Sequence, residues 1–427
     1  MFLKRLAFLL FVGITITYAA VDTVYMSIES SGIPTIPIGI TEFEKVGADW
    51  KGLREEPHQT LERDMLLSGH LEAHIESKYS RLAFFKARAT YYVEGHMERN
   101  ANGSVRMECK LLATQSQQQV LGKVYTVPMA QVRQALHDFT NQIVWQLSGA
   151  RGNATTKLAF TGKVNGQKQI FLSDYDGYNL QSLTQGDGIN FMPAWGNDLD
   201  HLYFVSFRNG PSQIFERIIS TGSTRVLFPS LGQTFSPDVN ANGDLAFAMT
   251  KNGGSDIWVG SPRSGKVERL TYQRSAETSP SWNPNGQGLL YSADPSGNPQ
   301  IFAMDKDGSN AHRITFLGKY NESARLSPEG DRIVYTSLED GAFNIYTCDL
   351  DGTDVVQLTS GDGNNEHPVW SPDGMLIAFS SDRSGSSQIY LMRKDGSAVT
   401  RITSGGEFTW PSWSPLPPST LSQGENQ

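Results

Sequence analysis

His70 and His74, in the stretch HLEAH, are the first residues of this sequence whose spacing could hold a metal ion. The glutamate does not follow the first histidine directly, as it does in metalloprotease helices, and Gly69 just ahead favours a strand start. On a strand the two imidazoles share a face but lie ~13 Å apart, too far to share one ion. Acidic turns come next: DYDG at 174–177, DKDG at 305–308 and DLDG at 349–352, with RKDG at 393–396. A calcium loop needs six or more oxygens, including a carboxylate about twelve residues on. Here a strand follows each turn, so the aspartates read as caps of tight turns. Calcium at these turns is the one ligand reading the sequence offers, and no cofactor is expected. There is no Gly-x-Ser-x-Gly elbow and no Gly-x-x-x-x-Gly-Lys-Ser/Thr phosphate loop. Carboxylates are scattered one or two per repeat without a distinctive pair. The expectation is a protein that is not an enzyme.

The turns belong to a longer period. Ile170, Ile214, Ile257, Ile301, Ile345 and Ile389 each follow a Gln, Asp or Asn and precede an aromatic residue. An upstream strand keeps the same step of 43 or 44 residues, from Leu158-Ala159-Phe160 to Ile377-Ala378-Phe379. Downstream, Leu183, Leu227, Leu270, Ile314, Leu358 and Ile402 repeat it, usually with Thr after. A fourth element reads Pro193-Ala194-Trp195, Pro280-Ser281-Trp282, Pro368-Val369-Trp370 and Pro411-Ser412-Trp413. Four short strands per ~44 residues, closed by Gly and Asp turns, mark propeller blades, here six of them over 157–416. The last Pro-x-Trp strand should return to the blade begun at Lys157, which removes the open edges of the ring.

Residues 21–150 lack the step. A strand at 35–43, a helix at 58–69, three strands from 89 to 127 and an amphipathic helix at 129–147 predict a small mixed α/β domain. The polar stretch 44–52 reads as a connection. The fold class is therefore a small α/β domain followed by an all-β six-bladed propeller. Ahead of it, Lys4-Arg5 and the apolar run Leu6–Thr17 form a secretory signal over 1–20. Its removal takes the formal charge from −8 to −10, which with no basic stripe argues against nucleic acid. With charged residues at 19% and 41 glycines, the exported chain reads as turn-rich and not membrane-spanning. Cys109 and Cys348 fall in different domains and read as separate core thiols. The tail 417–427 is polar and is expected to be disordered.

The signal, the small domain, SDYDGYN opening the propeller and WPSWSP near the end together resemble the TolB family, periplasmic components of the Tol–Pal system of Gram-negative bacteria. The resemblance covers essentially the whole exported chain. It implies a monomeric scaffold in envelope integrity and cell division. Its partners would be the lipoprotein Pal at the propeller channel mouth and TolA at the N-terminus, with other outer-membrane proteins as further partners. For Pal, the long loops that lead into the innermost strands nominate Gln233, Thr234, Ser236, Glu277, Thr278, Tyr320, Glu322, Asn365, Glu366, His367 and Trp410. For TolA, the segment 21–31 nominates Val21, Asp22, Val24, Tyr25, Met26, Ile28 and Glu29. That segment can pair as an edge strand or come free. The alternative class is a glycan-binding or hydrolytic propeller, since Trp and Asn side chains line the same loops.

Overall fold

The computed structural model describes residues 35–417, apart from 48–49, 76–88, 165, 187, 230–231, 252 and 362. The signal over 1–20, the TolA segment and all of the tail beyond Pro417 lie outside the described residues.

The N-terminal domain contains β1 (Ile36–Ile40), β2 (Glu44–Val46), α1 (Pro57–Leu67), β3 (Leu71–Ile75), β4 (Tyr91–Arg99), β5 (Ser104–Ala113), β6 (Gln119–Pro128) and α2 (Val132–Ser148). The sheet order is β3-β1-β4-β5-β6, with β2 also beside β4. β1 runs parallel to both its neighbours, while β4, β5 and β6 form an antiparallel meander. The strand β2 falls in the polar stretch 44–52, where a connection was expected. It pairs with β4 in the same parallel sense as β1, so backbone pairing places it where its side chains give no signal. Alternate residues of β5 turn inward, so Val105, Met107, Cys109 and Leu111 meet Leu61 and Met65 of α1 and Leu136, Phe139 and Ile143 of α2 in one core. Cys109 and Cys348 are both free and buried, in separate cores.

Six four-stranded antiparallel sheets follow. Blade 1 takes its innermost strand, Glu407–Trp413, from the end of the propeller and its other three from the start, which closes the ring. The innermost strands of blades 2 to 6 are Asn190–Trp195, Gln233–Val239, Glu277–Trp282, Asn321–Leu326 and Asn365–Trp370. The repeated Ile of each third strand is fully buried, and the tryptophans of the Pro-x-Trp strands are buried as well.

The recurring Asp-Gly turn has two jobs. Gly352 sits at φ 80°, which the turn requires, and a Cβ there would collide with the Ile314 carbonyl of the preceding blade. Gly177 meets Ile402 of blade 6 in the same way, and Gly308 and Gly396 repeat the approach. The turn therefore lets one blade's backbone abut the next. The aspartates cap it: Asp351 accepts from the Thr353 amide at 3.0 Å and hydroxyl at 2.6 Å, and Asp307 and Asp395 treat Ser309 and Ser397 alike.

Five of the six blades also carry a buried polar node; blade 2 has Phe228 in place of its Thr. The repeated Thr accepts from the Ile amide of the third strand, as Thr315 does from Ile301 at 3.0 Å, and donates to Gln300 at 2.9 Å. Asn321, opening the next innermost strand, donates to the same Gln300 oxygen at 2.9 Å. The node thus ties the outer strands of one blade to the inner strand of the next.

Candidate functional site at the channel mouth

The innermost strands converge on the channel, and each carries the same irregularity. The register shifts once per strand, between Phe191 and Ala194 in blade 2 and at the matching place in the other five. Inside each shift one non-glycine residue adopts the left-handed region: Met192, Ser236, Ser279, Ser323, His367 and Trp410, with φ between 49° and 56°. Such residues cost about 1–3 kcal/mol each and cluster where a bulge re-aims side chains. These six side chains line a cavity of about 200 Å³, together with Glu322 and Arg325.

The ring is asymmetric. Blades 3, 4 and 5 contribute serines, whereas blades 6, 1 and 2 contribute His367, Trp410 and Met192. His367 and Trp410 lie with ring centroids 4.8 Å apart, Phe191 packs on Trp410 at 5.7 Å, and the Lys168 ammonium stands 5.0 Å over the indole. Burial, helped by Arg325 and Lys168, holds the His367 imidazole down to about 3, so it is neutral. Glu322 and Glu366 occupy equivalent positions in adjacent blades and, with His367, bring ligand atoms within 4.8 Å of one another. Burial raises both carboxyls; Glu322 raises Glu366 further, and the Tyr320 hydroxyl, 3.0 Å from Glu322, opposes the rise there. Among the described residues no lysine or arginine pairs with either carboxylate. The corner formed by blades 5 and 6 is therefore acidic, next to an aromatic wall.

The nominated residues divide. Ser236, Glu322, His367 and Trp410 line the cavity. Glu366 joins them through the acidic cluster, and Tyr320 through its bond to Glu322. Gln233 and Thr278 stand on the same strands, Gln233 exposed and Thr278 half-buried. Except for Tyr320, all of them lie in innermost strands and not in the loops that were expected to hold them. Thr234, Glu277 and Asn365 require correction. All three take the strand position of Asn321, where the side chain points into the blade, and all three are buried. Glu277 accepts from the Ser275 and Thr271 hydroxyls, and Asn365 donates to Asn344 at 3.2 Å. They belong to the frame and are not offered to a partner. The sequence reading missed Met192, Ser279, Ser323 and Arg325, although the 44-residue step relates the first three to His367.

Among the described residues no helix is long and apolar enough to cross a membrane. The family model described as "TolB beta propeller domain" matches residues 144–345 and 325–420. The chain is similar to a "Protein TolB homolog" of Chlorobium luteolum, 31% identical over 204 residues, 48% of this chain and 46% of that protein. A second homolog, from Chlorobium chlorochromatii, is 30% identical over 285 residues, 64% of each chain. A "Tol-Pal system protein TolB" of Hydrogenovibrio crunogenus is 30% identical over 221 residues, 47% of this chain and 50% of that one. The matches thus span about half to two thirds of these relatives' lengths. In fold, the crystal structure of TolB from Acinetobacter baumannii superposes with a TM-score of 0.77 at 22% identity, covering 90% of this chain and 98% of that one. With the family model matching well over half of its residues, this chain belongs to the TolB propeller family.

Proposed function

We propose that the protein is a non-catalytic periplasmic adaptor of the Tol–Pal system, exported by its first 20 residues. It binds the lipoprotein Pal at the channel mouth and TolA through residues 21–31, and so contributes to outer-membrane integrity and to invagination at division. The observation that carries this reading is the ring of six strained, non-glycine residues, whose re-aimed side chains make one unequal surface out of six equal strands. A structural role alone would be served as well by glycine at each of those positions. The unequal chemistry, acidic on one side and aromatic beside it, suits recognition of a folded partner's loop.

Calorimetric titration with purified Pal of the same organism tests the proposal, with soluble peptidoglycan fragments titrated in parallel. Saturable binding of Pal that competes with no glycan supports the adaptor; binding of glycan alone overturns it in favour of a sugar-binding propeller. Deleting residues 21–31 should abolish TolA binding. If that segment is coupled to the channel mouth, the deletion must also change Pal affinity, because coupling between two sites is reciprocal.

A further inference from the structure

The turn SDYDGYN differs from its sister turns in what surrounds it. Asp307, Asp351 and Asp395 cap exposed turns, whereas Asp176 is 2% exposed and Tyr175 is 1% exposed. Both residues are covered by the N-terminal domain. The Tyr175 hydroxyl donates to Asp64 of α1 at 2.7 Å, and Asp176 pairs with Arg133 of α2. Arg133 also pairs with Glu55 and lies 3.6 Å over the Tyr178 ring, whose hydroxyl donates to Glu55 at 2.8 Å. His137, one turn along α2, hydrogen-bonds Asp64 through Nδ1 at 2.8 Å and sets its ring edge-to-face on Tyr175 at 5.8 Å. Asp64 is 0% exposed and His137 is 1% exposed.

We infer that this cluster is a proton-coupled latch: docking of the propeller's Asp176 against the N-terminal domain is accompanied by uptake of one proton, held on His137. The argument is charge balance. Within the N-terminal domain Asp64 and Glu55 are matched by Arg133 and Arg63, which stands 4.9 Å over Tyr178 at the rim. Docking adds Asp176, a further carboxylate in a site that water does not reach, and an unbalanced buried charge is costly. A second buried cation restores neutrality, and His137 is the group that can supply it. The bond to Asp64 needs only the Nδ1 proton, which both imidazole forms can carry, so the extra proton sits on Nε2, a buried atom with no hydrogen-bond partner among the described residues, and what it supplies is charge and not a bond. Arg133 already occupies the cation's place beside Asp176, so a bound metal is not needed to hold the site together.

Burial lowers the His137 imidazole, but Asp64 and then Asp176 outweigh it, so the group ends above its ordinary 6.5. Asp176 is also displaced upward, mainly by burial and against Arg133. Asp64 belongs to the same domain as His137, so the part of its rise that docking adds is the part due to Asp176; it has the same sign as the Asp176 shift, and the docked state holds more protons. The His137 share of the stabilisation is complete below about 6.5 and is lost as pH rises through the raised value, whereas the Asp176 share begins to fall above its ordinary 3.8.

Amide hydrogen exchange on the full chain from pH 6 to 9, corrected for intrinsic rates, reads the latch. The amides of Tyr175 and Gly177 at the interface are compared with that of Ile345, bonded to Thr359 inside blade 5. Protection of the first two should fall above pH ~6.5 by up to tenfold per unit, the limit for one proton, while Ile345 stays level. His137→Gln should flatten that dependence, and Tyr175→Phe should lower protection while keeping it. If neither variant folds, the wild-type profile and an NMR titration of His137 decide. Equal pH profiles at all three amides, or a His137 that titrates at or below 6.5, overturns the latch. Loss of protection on adding a chelator would assign the cluster to a metal ion and overturn it equally.

Discussion

Arg325 of blade 5 reaches past blade 4 to pair with Asp238 of blade 3, Nη1 to Oδ1 at 2.9 Å. On the way it donates to the Pro280 carbonyl at 3.3 Å, and the Trp282 amide donates to the other Asp238 oxygen at 2.7 Å. One arginine thus ties three innermost strands across the channel. Burial raises the Asp238 carboxyl, and Arg325 opposes that rise. Arg325→Met should therefore cost about 1–3 kcal/mol, since it leaves a half-buried carboxylate without its cation. Urea unfolding measures this, and the double variant with Asp238→Asn should recover part of the loss. A single variant as stable as the parent would mean that the pair contributes nothing.

The channel groups should give stability two opposed pH trends. His367 is held near 3, while an unfolded imidazole titrates at about 6.5. The unfolded chain therefore binds the extra proton between those values, and stability falls as pH drops from 6.5 toward 3. Asn tolerates the left-handed backbone, so His367→Asn should remove that trend without adding strain. Glu366 is displaced the other way, by burial and by Glu322. Its ionised form strains the folded state at neutral pH and ceases to do so in acid. Glu366→Gln should raise the melting temperature at pH 7 by on the order of 1–2 °C, with no gain below pH 4.5. Thermal scans of both variants at pH 4, 5.5 and 7 separate the two effects.

Periodicity made the propeller legible, because every blade repeats the same four strands and the same buried Ile, with the buried Thr in five blades and the buried Trp in four. It also explains why Thr234, Glu277 and Asn365 were misread. Their place at the loops leading into the innermost strands nominates them for recognition, yet the alternation of a strand turns that position inward and its neighbour outward. Aligned by the 44-residue step, Glu322 and Glu366 coincide, so their meeting in adjacent blades was implicit in the repeat. The latch was not. Asp64, His137 and Asp176 lie on α1, α2 and a propeller turn, and no period relates them; the only local mark is Tyr175, an aromatic residue where the sister turns carry Lys306, Leu350 and Lys394. The left-handed ring was equally hidden, since Met, Ser, His and Trp give no hint of positive φ.

Gly352 offers the sharpest test of why the Asp-Gly hairpin recurs. A Cβ there meets both an unfavourable φ and the Ile314 carbonyl of the neighbouring blade, and a backbone atom cannot step aside as a side chain can. Gly352→Ala should cost about 2–4 kcal/mol. The matching change at Gly361, whose Cβ would meet nothing within 4 Å though φ is 75°, should cost only the conformational part, about 1–2 kcal/mol. Chemical denaturation of both variants gives the difference, which isolates the blade-to-blade contact. Equal losses would leave the turn conformation as the whole reason for glycine.

The acidic corner separates recognition from framework. Among the described residues Glu322 and Glu366 face the channel without a cationic partner, whereas Asn365, next to Glu366 on the same strand, is wholly buried and hydrogen-bonded to Asn344. If Pal docks at the mouth, Glu322→Lys and Glu366→Lys should weaken it by about 1–3 kcal/mol each, in the range of interface residues near a hot spot. The two carboxylates interact, so the double variant should depart from additivity. Asn365→Ala should do the reverse: it loosens the node between blades 5 and 6 and lowers the melting temperature, while affinity at a temperature where the protein stays folded is retained. Calorimetry paired with thermal scans on the four variants reads both quantities. Full affinity in both charge reversals, with the fold intact, would move the Pal interface away from the channel. A loss of affinity in Asn365→Ala as large as theirs would mean that the mouth acts through its shape and not through its charge.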